Sequence, residues 1–372
     1  TRHTGPLVVW IGNFRQFKSM GQQADVIIVG GGLMGLAIAL ELHQQNVTVT
    51  VLSKDFDAAA GHAAAGMLAP GAEQLPSGPM FELCHRSLDL YPAWISKLEE
   101  LTGKDSGYWP CGILAPHILS DQSPSNQAHS NQADGNQANR ISLSAAAIQT
   151  YQPGLSRKVA GGIFYPEDAQ VDNRALMHVL RSAAQDLGIP VKTAVSVDGF
   201  IQRAGRVVGL RTSAGEMQAT HYVLATGAWA QELLPIPVSP KKGQMLSVRV
   251  PLGYGEKQPL KRVLYGEDVY IVPRRDGRII TGATVEDVAF TPHNTPAGIA
   301  QLLNAAIALY PTLAHFPIEE TWWGFRPATP DEQRAGHLRT PARRGRGVAA
   351  TRFGRVTGGS PCMAGARRVG WC

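Results

Sequence analysis

The chain has little cysteine chemistry to offer. Its four cysteines, Cys84, Cys111, Cys362 and Cys372, form no C-x-x-C pair and stand at no metal-ligand spacing from histidine. That excludes a zinc module and a dithiol redox motif, and it predicts reduced thiols in a cytoplasmic protein. Long apolar runs are also missing. The longest, from Val26 to Leu40, is broken by glycines and too short to span a bilayer, so no membrane association is expected. One end lacks carboxylates altogether. Residues 333–372 hold nine arginines, no lysine and no acid, and subtracting nine from the formal net charge of +6 leaves −3 for the first 332 residues. A basic segment can signal nucleic acid, but it carries no interleaved aromatics and no binding motif, so no nucleic-acid partner is expected. With 17% charged and 44% hydrophobic residues over 372 positions, the chain has the composition of a soluble globular protein and the length of two domains with sizeable cores.

What is present is organised around Val26-Ile27-Ile28-Val29 followed by Gly30, Gly32 and Gly35. The continuous apolar run, rich in β-branched residues, suits a strand buried on both faces of a parallel sheet. The G-x-G-x-x-G that follows opens a helix. Gly30 permits a tight turn, Gly32 lets the backbone approach a pyrophosphate, and Gly35 lets the helix pack on the strand. The helix N-terminus, beginning at Leu33 and Met34, directs N–H groups and its positive dipole end at the phosphates. A purely structural βα turn is the alternative.

Residues 47–52 read as the second strand. Dinucleotide folds usually end this strand on an acid that holds the ribose. Here Ser53 stands in that place, with Asp55 on the same face if the strand continues. Residues 58–68 are dense in small side chains, which allow a flat ligand close to the backbone. Residues 81–101 have an amphipathic helical period, with Leu83, Leu88, Leu90, Trp94, Ile95 and Leu98 on apolar positions. Within 121–139, Asn-Gln-Ala recurs at Asn126, Asn131 and Asn136. Such a polar segment buries no core and predicts a mobile surface insertion. Helices are expected over 175–187 and 298–309, and strands over 191–197, 207–212, 222–229, 244–250, 269–273 and 278–284. Residues 1–19 carry Arg2, Arg15 and Lys18 without an acid. With Met20 just before the first strand, they read as an unstructured leader rather than a targeting peptide.

Several of these segments together resemble the FAD-dependent D-amino-acid oxidase superfamily and, within it, glycine oxidase of thiamin thiazole synthesis. The matches are the loop Gly30 to Gly35, Ala63-Ala64-Ala65-Gly66-Met67-Leu68, Val171-Asp172 with Arg174-Ala175-Leu176, and Ala225-Thr226-Gly227-Ala228-Trp229. They continue in Tyr270-Ile271-Val272-Pro273-Arg274 with Gly282-Ala283-Thr284, and in Gly324-Phe325-Arg326-Pro327-Ala328-Thr329-Pro330-Asp331. The resemblance implies an α/β fold: a Rossmann-like FAD-binding domain with a parallel sheet, and a second, largely antiparallel substrate domain. Its division would be 21–80 and 158–235 for FAD, 81–157 and 236–320 for substrate, and a return to the FAD domain over 321–332. A low-complexity insertion would occupy 117–140 and a separate tail 333–372.

The resemblance further implies non-covalent FAD, held by Gly30, Gly32, Leu33, Met34, Gly35, Ser53, Ala64, Ala65, Gly66, Met67, Val195, Thr226 and Gly227. No cysteine lies between Cys111 and Cys362 to attach it covalently. The family reaction takes a hydride from the α-carbon of a small amino acid and gives an imine, with O2 reduced to peroxide. Arg326 would grip the substrate carboxylate bidentately, Tyr270 would assist, and Met67 would line the pocket. No side-chain base is required. The alternatives for these three are a structural ion pair, a strand tyrosine and core filling. Partners implied are a small amino acid and O2, a link to thiazole synthase, and a homo-oligomer. The chain departs from the family after Glu332, where composition resembles translation out of frame. Two other readings stay open: a sarcosine or D-amino-acid oxidoreductase, and a flavin-binding remnant inactivated by the altered C-terminus.

Overall fold

The computed structural model describes residues 9–11, 24–118, 139–255 and 258–329. The repeats within 121–139 and the tail after Glu332 lie almost entirely or wholly outside the described residues. A five-stranded sheet runs in the order Val9–Ile11, His221–Leu224, Val26–Val29, Val49–Ser53, Val191–Thr193. The last four are parallel neighbours. Val26 and Ile28 face a core built with the helices Leu33–Gln44, Pro79–Thr102 and Asn173–Asp186. Ile27 and Val29 face a second cluster with Leu52, Val195, Leu210, Tyr222 and Leu224. Both faces are covered, which is why this strand reads as an unbroken apolar run rather than an alternation. The returning strand His221–Leu224 joins this sheet, as its apolar run and small-residue turn predicted. Asp25 and Thr48 clamp the entry of the first two strands: Asp25 N donates to Thr48 Oγ1 at 2.9 Å, and Thr48 N donates to Asp25 Oδ2 at 3.0 Å.

The second sheet has eight strands, in the order Ile318–Ala328, Ser239–Arg249, Arg278–Gly282, Tyr270–Pro273, Val263–Tyr265, Ile113–Ile118, Val159–Tyr165, Ile141–Ser144. All neighbours are antiparallel except Val263–Tyr265 with Ile113–Ile118. One cluster is shared with the helix Pro296–Leu309 and includes Leu246, Ile271, Ile279, Leu302 and Leu309. Another gathers Ala65, Ala69 and Ala72 against Ile113, Met245, Val272 and Ile280. The small-residue loop of the dinucleotide half is therefore packed on the antiparallel sheet.

Four expectations are corrected. The strand expected over 191–197 breaks at Ala194, whose φ of +57° turns the chain, so Val191–Thr193 and Val197–Arg203 enter different sheets. Val159–Tyr165, assigned by sequence to the FAD half, belongs to the eight-stranded sheet. Residues 321–328, expected to return to that half, form the edge of the same sheet beside Ser239–Arg249. Their partners are main-chain groups of the antiparallel sheet, and only side chains reach across. Val9–Ile11, expected in an unstructured leader, pairs antiparallel with His221–Leu224. Cys111 is a free thiol, in line with the reading at that position. The long helix covers Pro79–Thr102, with Cys84, Ser87, Tyr91, Trp94, Ile95 and Leu98 inside, while Leu83 faces solvent. Among the described residues no helix is long and apolar enough to cross a membrane.

Candidate active site

The glycine loop has the steric logic that the spacing suggested. Gly30 has φ +115°, and a Cβ there would meet the Ala225 carbonyl oxygen at 2.2 Å. A Cβ on Gly35 would meet the Gly30 carbonyl oxygen at 1.8 Å. These two glycines let two strands and a helix converge. Gly32 differs, because the nearest atom to its added Cβ is Ala59 Cβ at 3.5 Å. Among the described residues nothing else lies within 4 Å of that position. Gly32 is also the N-cap of Leu33–Gln44 and supplies no side-chain cap, so the helix dipole end is open toward that space.

Ser53 is buried beneath the loop, its Cβ lying 2.6 Å from a Cβ built on Gly31. Its carbonyl accepts from Val195 N at 3.1 Å, so two residues far apart in sequence meet at the strand end. Asp55 is not on that strand. The chain turns after Ser53, and Asp55 Oδ1 accepts from Asp57 N and Ala58 N instead. The return strand ends at Thr226 and Gly227, the latter at φ +54°. The Thr226 hydroxyl is buried and without a hydrogen-bond partner. An orphaned hydroxyl, a cradle closed to any Cβ and an open helix N-terminus fit a dinucleotide pyrophosphate at this edge of the sheet.

The second loop, Ala64-Ala65-Gly66-Met67, is tied from both halves. Gly66 sits at φ +70°, and a Cβ there would meet the Val171 carbonyl oxygen at 2.0 Å. Arg274 Nη2 donates to the Ala65 carbonyl at 2.7 Å, and Trp322 Nε1 donates to the Ala63 carbonyl at 2.9 Å. Arg274 is buried, and burial pulls its guanidinium down to about 10 against the pull of Asp172.

Met67 enters the cluster that also contains Tyr265, Tyr270, Met245 and Trp322. Register explains the grouping. Trp322 pairs with Met245, Met245 with Gly282, Gly282 with Tyr270, and Tyr270 with Tyr265. One row therefore crosses five strands. The Tyr270 hydroxyl donates to Met245 Sδ at 3.3 Å. Arg326 pairs with Lys241 on the same face of the sheet, four residues along from Trp322. Gly243 leaves room for its guanidinium: a Cβ there would meet Arg326 Nη2 at 2.6 Å. Arg326 Nη2 donates to the Thr284 carbonyl at 3.3 Å. Burial pushes the Tyr270 hydroxyl up, and Arg326 beside it pulls the other way. The structure thus brings Arg326, Tyr270 and Met67 together.

Sequence reasoning missed Glu73. Its carboxyl is pushed up to about 7 by burial and by Asp168, against the pull of Arg326. Asp168 is itself pushed up to about 6 by burial, opposed by hydrogen bonds from Ala72 N at 2.7 Å and Gly71 N at 3.0 Å. Tyr265 is raised by burial and then by Glu73. A carboxyl pushed up to about 7 and electrostatically coupled to a guanidinium and two phenols can take and return a proton. The only signal in the sequence was a lone acid following the small-residue stretch by a few positions.

A family model described as DAO, FAD dependent oxidoreductase, matches residues 25–355. The chain belongs to this FAD-dependent oxidoreductase family. It is 58% identical over 308 residues to the bifunctional protein ThiO/ThiG of Trichormus variabilis, a match that covers 83% of this chain and 47% of that protein. The chain therefore spans about half the length of the ThiO/ThiG relatives it matches. A glycine oxidase of Pseudomonas aeruginosa is 30% identical over 313 residues, covering 82% of this chain and 83% of that one. Among solved structures, glycine oxidase from Geobacillus kaustophilus aligns with a TM-score of 0.76 at 30% identity over 84% of each chain. As a family member the chain is an FAD-dependent oxidoreductase in kind, and the glycine cradle described above fits the cofactor.

Proposed function

We propose that this chain oxidises glycine to its imine, with O2 as the final acceptor, and that the imine supplies thiamin thiazole synthesis. The observation that carries the reading is Arg326. It is partly buried and forms no ion pair among the described residues. It stands beside the Tyr270 hydroxyl on the face that Met67 closes. A guanidinium in that state is matched to a carboxylate ligand. The apolar side chains of Met67, Met245, Tyr265 and Trp322 gather in the same cluster as Tyr270, surroundings that suit a ligand with little side chain.

The chemistry supplied by FAD, when bound, would be acceptance of the hydride and return of the electrons to O2. The protein's own share is orientation and proton management. Arg326 and Tyr270 would fix the carboxylate, which sets the α-carbon in one place relative to the loop Ala64-Ala65-Gly66-Met67. Hydride departure needs a neutral amine, and Glu73, whose carboxyl burial and Asp168 push up to about 7, would accept the ammonium proton. Gly30, Gly32, Leu33, Met34 and Gly35 would hold the pyrophosphate, with Thr226 and Gly227 beside it and Ser53 and Val195 at the ribose side.

The paired name of the ThiO/ThiG relatives supports a thiazole synthase as the partner that consumes the imine. A cytoplasmic location and assembly into a homo-oligomer belong to the same reading. The deciding experiment is the visible spectrum of the purified FAD-loaded chain before and after anaerobic glycine. Bleaching of the flavin bands on glycine addition is expected. Bands that persist with glycine and bleach with sarcosine or a D-amino acid would replace the substrate, and bands that persist with all of them would identify a flavin-binding remnant.

A further inference from the structure

Besides the Tyr270 hydroxyl, Arg326 has a main-chain acceptor, the Thr284 carbonyl, and how that carbonyl is held has consequences for the site. Thr284 lies just past the end of the strand Arg278–Gly282, where a ladder ordinarily frays. Here it does not. Thr284 N donates to the Gln244 carbonyl at 3.3 Å, and Gln244 N donates to the Thr284 hydroxyl at 2.8 Å. The hydroxyl in turn donates to Glu286 Oε1. Glu286 also receives Gln244 Nε2 at 2.7 Å and the Lys242 ammonium at 2.9 Å. Its backbone pairs with that of Lys242 in both directions, at 2.9 and 3.0 Å. Lys242 Nζ donates further to the His293 carbonyl at 3.0 Å. Thr295, the N-cap of the helix Pro296–Leu309, closes the far side by donating its N–H to Gln244 Oε1 at 2.7 Å.

The network and the arginine are on opposite faces of the sheet. Arg326 shares its face with Lys241, Gly243 and Met245 by register, whereas Lys242 and Gln244 point the other way. A cavity of about 230 Å³ opens on that other face, lined in part by Gln244, Thr284, Glu286 and Thr295. Only Thr284 reaches both sides, its hydroxyl toward Glu286 and its carbonyl toward Arg326. The Lys242 side chain is 2% exposed. A buried ammonium is costly unless paired, and an apolar residue would serve packing better. A carboxylate placed directly on Arg326 would occupy the charge that a substrate needs. A carbonyl steadied by a neutral ion pair behind the sheet orients the guanidinium without adding a charge of its own beside it.

We propose that Glu286, paired with Lys242 and acting through Thr284, is a positioning residue for Arg326 as the anchor of the substrate carboxylate. The proposal rests on the glycine-oxidising reading given above. The test uses the full FAD-loaded chain and acetate, a carboxylate without an amine, titrated by the shift of the flavin visible bands. Four variants are compared: Thr284→Val, which removes the hydroxyl and keeps the ion pair, Thr284→Ser, Glu286→Gln and Arg326→Ala. Thr284→Val and Glu286→Gln should each weaken acetate binding about 5- to 20-fold, the scale of one misplaced hydrogen bond to a charged group. Thr284→Ser should restore parental affinity. For Thr284→Val the flavin content, the thermal midpoint and the limiting rate of flavin reduction at saturating glycine should stay within twofold of the parent, so that KM moves and kcat does not. If Arg326→Ala loses acetate while Thr284→Val and Glu286→Gln bind it like the parent, the positioning role is overturned and the anchor stands. If Arg326→Ala binds acetate like the parent, the anchor itself is misassigned and this proposal falls with it. A uniform loss of flavin and stability in Thr284→Val without a KM–kcat split would show a structural role only and would also overturn it.

Discussion

Replacing Glu73 by glutamine should remove a pH-dependent destabilisation of the folded chain. Glu73 moves from 4.5 to about 7 on folding, through burial first and Asp168 second. The difference, 7 − 4.5, is about 2.5, and at about 1.36 kcal/mol for each pH unit it corresponds to about 3 kcal/mol. Partial solvent access at Glu73 reduces that to about 2 kcal/mol. Between pH 4.5 and 7 the folded chain still holds a proton that the unfolded chain has released. Stability therefore falls as pH rises through this window and levels off above the folded value. Glutamine has the same shape and nothing to ionise. The assay is urea unfolding of both FAD-loaded proteins at matched concentration across pH 4.5 to 8. Carboxyls not coupled to Glu73 titrate alike in both proteins, so the difference between the curves reports Glu73 together with its coupling to Asp168. The parent should lose about 2 kcal/mol more than Glu73→Gln over the window. Parallel curves, or a parent that gains on the variant with rising pH, would refute the placement of Glu73 in a buried site beside Asp168. The same carboxyl should give the rate of flavin reduction by glycine an acid limb near pH 7, which Glu73→Gln should abolish.

Three further outcomes follow from the site. Gly32→Val should fold, since nothing but Ala59 Cβ lies near the added side chain, yet lose FAD; Gly35→Ala should fail to fold because its Cβ falls 1.8 Å from the Gly30 carbonyl oxygen. Circular dichroism and flavin content separate the two, and stoichiometric FAD in Gly32→Val would show that the loop does not carry the pyrophosphate. Arg326→Ala should cost about 1.5–3 kcal/mol of glycine binding, roughly 10- to 150-fold. Its unfolding should change little, because the guanidinium's hydrogen bond to the Thr284 carbonyl is long, at 3.3 Å. Equal half-saturation in parent and variant would move the anchor elsewhere. Arg274→Leu should destabilise by about 3 kcal/mol or more in denaturant, because it leaves the Ala65 carbonyl and Gln170 without the buried donor they share; a loss under about 1 kcal/mol would show that water replaces it.

Local residues determined much of this protein. The apolar run before Gly30, the spacing of Gly30, Gly32 and Gly35, and the return strand ending at Thr226 sufficed for a parallel dinucleotide sheet. Each of those signals depends on short-range sterics: β-branched residues buried on both faces, and glycines where a Cβ would strike backbone. Arg326 stood out as a candidate because a cation among aromatic and proline residues demands a partner, and folding sets it beside Tyr270. Partnership across the chain was not legible. Glu73 became a candidate only when folding set Arg326, Tyr265 and Asp168 around it, and nothing local distinguishes it from a surface acid. Asp55 looked equivalent to Ser53 until the chain turned. Residues 321–328 looked like a return to the dinucleotide half, yet main-chain pairing with Ser239–Arg249 kept them in the antiparallel sheet. Backbone pairing and the electrostatics of burial depend on residues tens to hundreds of positions apart, so the tertiary structure alone decided which side chains share the site.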